Sequence, residues 1–152
     1  MNFKKIFSVS IYDFSIIIYF LGIKITSSAL YNLIYGNPLY TNCTILQDIK
    51  DLKRRGVQFL HPLGIVIAPE VKIGDNCIIM QNVTIGYGGS EKSHGYPIIG
   101  NNVKIFAGAV VVGNIKVGEG AVIAANSVVT KDVEPNTMVA GAPAKFKKKL
   151  NF

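Results

Sequence analysis

Histidine occurs only twice in the 152 residues, at His61 and His94. It is the side chain whose ordinary titration lies nearest neutral pH, so it is the first candidate for moving a proton to or from a hydroxyl. His61 stands in His61-Pro62-Leu63-Gly64, where a glycine allows a backbone to approach a ligand closely. His94 stands in the glycine-rich stretch Gly86-Tyr87-Gly88-Gly89-Ser90-Glu91-Lys92-Ser93-His94-Gly95-Tyr96-Pro97. On pattern alone, His61 fits a proton acceptor and a corner histidine bonded to a carbonyl equally well, and His94 reads first as solvent-exposed. No metal centre is expected, because a catalytic zinc takes three protein ligands and two histidines do not supply them. Gly86, Gly88 and Gly89 suggest a phosphate cradle, but no strand-loop-helix context surrounds them. A role in turning the loop away from the scaffold is the simpler expectation.

The elements that must hold these residues count in sixes. Ile67, Ile73, Ile79, Ile85, Ile99, Ile105, Val111, Val117, Ile123 and Val129 recur at that interval, with one interruption. Small or aliphatic residues follow four places on, at Val71, Cys77, Val83, Val103, Ala109, Ile115, Ala121, Ser127 and Val133. Turn formers such as Gly74-Asp75-Asn76 and Gly100-Asn101-Asn102 separate them. A helix repeats its apolar residues at three and four and a hairpin strand at two, so a strict six fits neither. It predicts an all-β solenoid in which each six is a short strand and a turn, three make one coil, and successive coils pair as parallel strands. The count breaks at two places, between Phe59 and Val66 and between Ile85 and Ile99. Both histidines lie there, and insertions on a rigid solenoid commonly carry function.

Three regions follow: a helical N-terminal segment over 1–55, the solenoid over 56–140 with its loop at 86–98, and a basic tail over 141–152. In the first, Lys4 and Lys5 precede an apolar core from Phe14 to Ile23 that is shorter than the roughly 20 residues of a membrane span. Asp13 and Lys24 around that core fit poorly with a signal peptide. A helical segment packing on the solenoid or a neighbouring copy is expected, with peripheral membrane contact as the lesser reading. Thr44-Ile45-Leu46-Gln47 matches a capping box and predicts a helix from about Ile45 to Lys53. Hydrophobic residues at 49% against 16% charged leave apolar surface for oligomers. The net charge of +7 is partly local to Lys145, Lys147, Lys148 and Lys149, which read as a solvated tail. Nucleic acid is not an expected partner, since no aromatic pattern runs along a basic groove. Cys43 and Cys77 form neither a disulfide framework nor a metal motif, so the cytoplasm is the default.

The chain resembles the hexapeptide-repeat acyltransferases with a left-handed parallel β-helix, and in particular the serine acetyltransferase-like branch. The matching words are His61-Pro62-Leu63-Gly64-Ile65-Val66-Ile67, Gln81-Asn82-Val83-Thr84-Ile85-Gly86, Gly113-Asn114-Ile115-Lys116-Val117-Gly118, Asn126-Ser127-Val128-Val129-Thr130-Lys131-Asp132-Val133 and Val139-Ala140-Gly141-Ala142-Pro143-Ala144-Lys145. The left hand comes from the resemblance, since parallel crossovers are right-handed in about 98% of cases. So does a homotrimer with active sites in the clefts between prisms and acetyl-coenzyme A as donor. The resemblance makes His61 the general base and puts His94 at the same site. It implies a coenzyme track past Ala107, Gly108, Ala125, Gly141, Ala142 and Pro143, with Lys131 and Lys145 towards its phosphates. Gly88 or Gly89 would offer an amide to the oxyanion, and Leu60, Asn82 and Tyr96 would surround the acceptor.

Three departures shape the expected acceptor. The family's aspartate before the catalytic histidine is Leu60 here, its imidazole-orienting aspartate has no clear match upstream of Lys53, and its loop histidine before the proline is Tyr96. With no carboxylate at position 60 for a serine ammonium, the expected acceptor is a sugar hydroxyl of a bacterial surface polysaccharide or its precursor. Serine O-acetylation and a non-catalytic solenoid scaffold are the alternatives.

Overall fold

The structure, a computed structural model, describes residues 43–89 and 94–151, all within one unit, Leu39–Phe152. The expectations for the apolar segment before Cys43 lie outside the described residues. The rest is a parallel solenoid of fourteen short strands and one helix. In chain order they are β1 (Thr44–Ile45), α1 (Ile49–Arg54), β2 (Gln58–Leu60), β3 (Val66–Ile67), β4 (Lys72–Ile73), β5 (Ile78–Met80) and β6 (Thr84–Gly86). Then follow β7 (Ile98–Ile99), β8 (Lys104–Ile105), β9 (Val110–Val112), β10 (Lys116–Val117), β11 (Val122–Ile123), β12 (Val128–Val129), β13 (Thr137–Ala140) and β14 (Lys145–Lys149).

Three sheets form the faces of a prism. One face carries β1-β3-β6-β9-β12, the second β14-β13-β11-β8-β5-β2 and the third β10-β7-β4. Every pairing is parallel except β13 with β14. The chain visits the six-, five- and three-stranded faces in turn. Ile79, Ile105 and Ile123 therefore stack inside one face and Ile67, Ile85, Val111 and Val129 inside another, by backbone register. These rungs are buried, as are the small residues four places on, including Cys77, Ala109, Ala121 and Ser127. Burying each Ile or Val contributes about 1.5–3 kcal/mol.

The corners repeat as regularly as the rungs. Asn76, Asn82, Asn102, Asn126 and Asn136 adopt positive φ, the left-handed turn that asparagine tolerates. Glycines take the same role elsewhere: Gly108, at φ 70, has Asn126 Oδ1 only 2.2 Å from where a Cβ would stand. Glycine is required at 108 by conformation and by space alike.

One local expectation needs correction. Thr44 and Ile45 do not open a helix; they pair with Val66 and Ile67. The cap of α1 is Asp48, whose carboxylate accepts from the amides of Lys50 at 2.9 Å and Asp51 at 3.3 Å. Gln47 instead turns its amide to the carbonyls of Ala68 and Val71, because the solenoid offers those acceptors and a capping box does not. The basic tail is solvated, as expected, and is also a strand. Lys145–Lys149 form β14, antiparallel to β13, where exposed lysines keep the sheet edge from pairing further.

Replacing Gly108 with valine should lower unfolding stability by roughly 1–3 kcal/mol from backbone strain alone, with the clash against Asn126 added. A fall in the urea midpoint with unchanged denaturant slope would register it. Wild-type stability would disprove the corner assignment.

Candidate active site

The two breaks in the count lie on opposite edges of the five-stranded face. His61 follows β2, on the six-stranded face, and precedes β3, so it sits at the corner between those faces. The loop with His94 runs from β6 to β7, at the corner between the five- and three-stranded faces.

At the first edge, the backbone turns sharply at His61, with φ 51. His61 and Leu60 are exposed. Gly64, at φ 65, brings the chain back onto the coil, tightly against Asn82 Oδ1. The chain rejoins the ladder where the Asn82 amide donates to the Leu63 carbonyl at 2.8 Å. Below it the same corner continues coil by coil: Gly108 N–H donates to Gln81 O at 3.0 Å and Asn126 N–H to Ala107 O at 2.9 Å. At the next step Val128 N–H donates to Gly141 O at 2.9 Å. Most of the expected coenzyme track, Ala107, Gly108, Ala125, Gly141, Ala142 and Pro143, thus lies along one edge with His61 at its head. Lys145 opens β14 beside that edge and is exposed.

At the second edge, the Tyr87 hydroxyl and His94 Nδ1 are 2.5 Å apart, and the Tyr87 and Tyr96 rings stand 5.4 Å centre to centre. The pairing of Lys72 with Ile98 carries Glu70 above Tyr96 on the preceding coil. The Tyr96 phenol is pushed above its usual 10.0 by desolvation first, then by the charge and hydrogen bond of Glu70. Lys131 belongs to this edge, beside Asp132, whose carboxylate accepts from Lys116 N–H at 2.8 Å. Within one copy, then, Lys131, Gly88, Gly89, His94 and Tyr96 do not share an edge with His61.

The loop glycines behave differently from expectation. Gly86, Gly88 and Gly89 do not have positive φ; Gly95, at φ 130, makes the turn. A Cβ at Gly86 or Gly89 would meet open space. The buried Gly88 amide donates to Gly95 O at 3.2 Å. Asn82, expected near the acceptor, takes a left-handed turn at φ 57. Sequence reasoning missed Gln81, whose Oε1 is buried and accepts no hydrogen bond. It also missed the partnership of Glu70 with Tyr96, for which only the coil register gives a signal. Among the described residues no group of three His, Cys, Asp or Glu is placed to hold a metal, and no helix is long and apolar enough to cross a membrane.

Residues 96–131 match the bacterial transferase hexapeptide (six repeats) family. A serine acetyltransferase of Staphylococcus epidermidis is 45% identical over 83 residues, 55% of this chain and 39% of that protein. Among solved structures, the serine acetyltransferase of Vibrio cholerae superposes with a TM-score of 0.58 at 42% identity, covering 63% of this chain and 37% of that one. Soybean serine acetyltransferase complexed with serine gives 0.57 at 34%, covering 80% and 46%. The shared fold is the left-handed parallel β-helix. This chain spans about two fifths of the length of the curated relatives it matches.

These relatives overturn the expected polysaccharide acceptor, which rested on Leu60.

The phenol assignment is checked by absorbance titration. The difference between wild type and Tyr96→Phe should show a phenol ionising above about 10, the ordinary tyrosine value. Glu70→Gln should bring that midpoint down, since a neutral neighbour no longer opposes the phenolate. An unmoved midpoint would separate the two residues.

Proposed function

We infer that this chain is a hexapeptide-repeat acyltransferase of the serine acetyltransferase kind, moving an acetyl group from acetyl-coenzyme A to the hydroxyl of serine. The observation that carries this reading is the run of the expected donor track along the edge headed by His61, on the fold of relatives named for that reaction.

His61 takes the proton of the serine hydroxyl as its oxygen attacks the thioester carbonyl. The negative charge passing to the carbonyl oxygen is met by a backbone amide, for which Gly89 is the loop candidate, the Gly88 amide being bonded to Gly95 O. Collapse of the tetrahedral intermediate forms the ester and breaks the carbon–sulfur bond, and the imidazolium returns its proton to the departing thiolate. No acyl-enzyme is needed. The coenzyme phosphates are anionic, and Lys145 and Lys131 offer cations at the C-terminal end of the solenoid.

A homotrimer completes this site. His61 and His94 stand on the two edges of the five-stranded face, so a cleft between copies unites them if each turns that face to a common axis. The outer row of the face supports this: register lines up Val66, Thr84, Val110 and Val128, β-branched residues without charge. The three-stranded face instead presents Lys72, Ile98 and Lys116 in its outer row.

Purified protein should release free thiol from acetyl-coenzyme A in the presence of serine, and His61→Ala should slow that release by about 100-fold or more. No release with wild type, or unchanged release with the variant, would disprove the reading. Val110→Arg should shift sedimentation from trimer towards monomer and abolish transfer while leaving the far-ultraviolet spectrum intact. A fully active monomer would refute the shared cleft.

A further inference from the structure

We propose that Gln81 is a positioning residue for His61, its side-chain carbonyl oxygen holding one ring nitrogen so that the other faces the acceptor hydroxyl. This rests on the acetyltransferase reading above and extends it to a residue with no assigned role. The pairing of β2 with β5 sets Gln58 against Ile78, Phe59 against Ile79 and Leu60 against Met80. One step further brings Gln81 to the level of His61. There the upper chain leaves the ladder, at φ 51, and it returns at Leu63, whose carbonyl accepts from Asn82 N–H. His61, Pro62 and Leu63 therefore arch over the single residue Gln81.

Gln81 Oε1 is buried without a donor, the one buried side-chain nitrogen or oxygen among the described residues in that state. An enclosed amide oxygen left unpaired is unfavourable, and a neutral imidazole carries the N–H that would satisfy it. A bond from that N–H to Gln81 fixes the tautomer and leaves the opposite nitrogen free to accept a proton. A carboxylate would serve the same purpose, but the flanking Leu60, Pro62, Leu63, Gly64, Met80 and Asn82 include no acidic or other charged side chain. An amide orients the ring without adding charge.

Two measurements on the full chain test this. The first is the pH profile of kcat and kcat/KM with acetyl-coenzyme A and serine. Gln81→Leu should lower kcat about tenfold or more, a fraction of what a general base contributes, with KM for acetyl-coenzyme A unchanged. Gln81→Glu should keep turnover and move the acidic limb to higher pH, because a carboxylate favours the imidazolium. A structural role alone would move the melting temperature and leave that limb in place. The second is nitrogen NMR of the histidine ring in a His94→Ala background, which needs no turnover. Wild-type His61 should show one tautomer, and Gln81→Leu a mixture. If serine is not acetylated but the tautomer responds, the acceptor reading fails and the positioning role stands. Wild-type kcat in Gln81→Leu, an unmoved acidic limb in Gln81→Glu, or a tautomer indifferent to position 81 would overturn the proposal.

Discussion

Everything in this molecule depends on one constraint: an Ile or Val returned to the interior every sixth residue, directly beneath its counterpart on the preceding coil. Because successive strands are parallel and in register, backbone hydrogen bonds run between coils and the side-chain stack runs with them. The interior is a column of branched side chains with little freedom to shift. A one-residue slip would turn a whole rung to solvent. Such rigidity makes the edges useful. A corner that repeats at fixed height along the prism is a ruler on which an extended substrate can be laid, and departures from the count become the places where chemistry can sit.

The rungs and turns were legible because their burial is periodic and the periodicity is unlike that of any other element. The two breaks were legible for the same reason, as failures of a count. What lay outside the count was read less well. The capping-box pattern at Thr44 to Gln47 is a local signal, and a distant one overrode it: Val66 and Ile67 give Thr44 and Ile45 parallel partners, and Asp48 takes the cap. The return of Lys145–Lys149 along β13 is antiparallel, so no parallel count foretells it. The glycines of the loop illustrate a different limit. A glycine in sequence announces either an unusual φ or open space, and at Gly86 and Gly89 it was the second.

Placing the two histidines required topology. In sequence they appear as equivalent interruptions of one ladder. On the prism they are separated by the width of the five-stranded face, so no rearrangement of short side chains brings them together within a copy. Their separation and the uncharged outer row of that face are the two observations on which the proposed trimer rests. The tyrosine pair and Glu70 belong to one of these edges, and the small residues Ala107, Gly108 and Gly141 to the other.

Leu60 shows why an acceptor cannot be read from one position of a motif. A carboxylate beside the base is an economical way to hold an ammonium, and its loss leaves a buried charge unpaired only if nothing else faces the same space. In the proposed cleft between copies, the partner can come from either wall. The unpaired oxygen of Gln81 illustrates the complementary point: a buried polar atom without a donor is a local cost, and its meaning depends on which group stands at its level on the neighbouring coil. Both residues matter through what faces them, and what faces them is fixed by coil register and assembly.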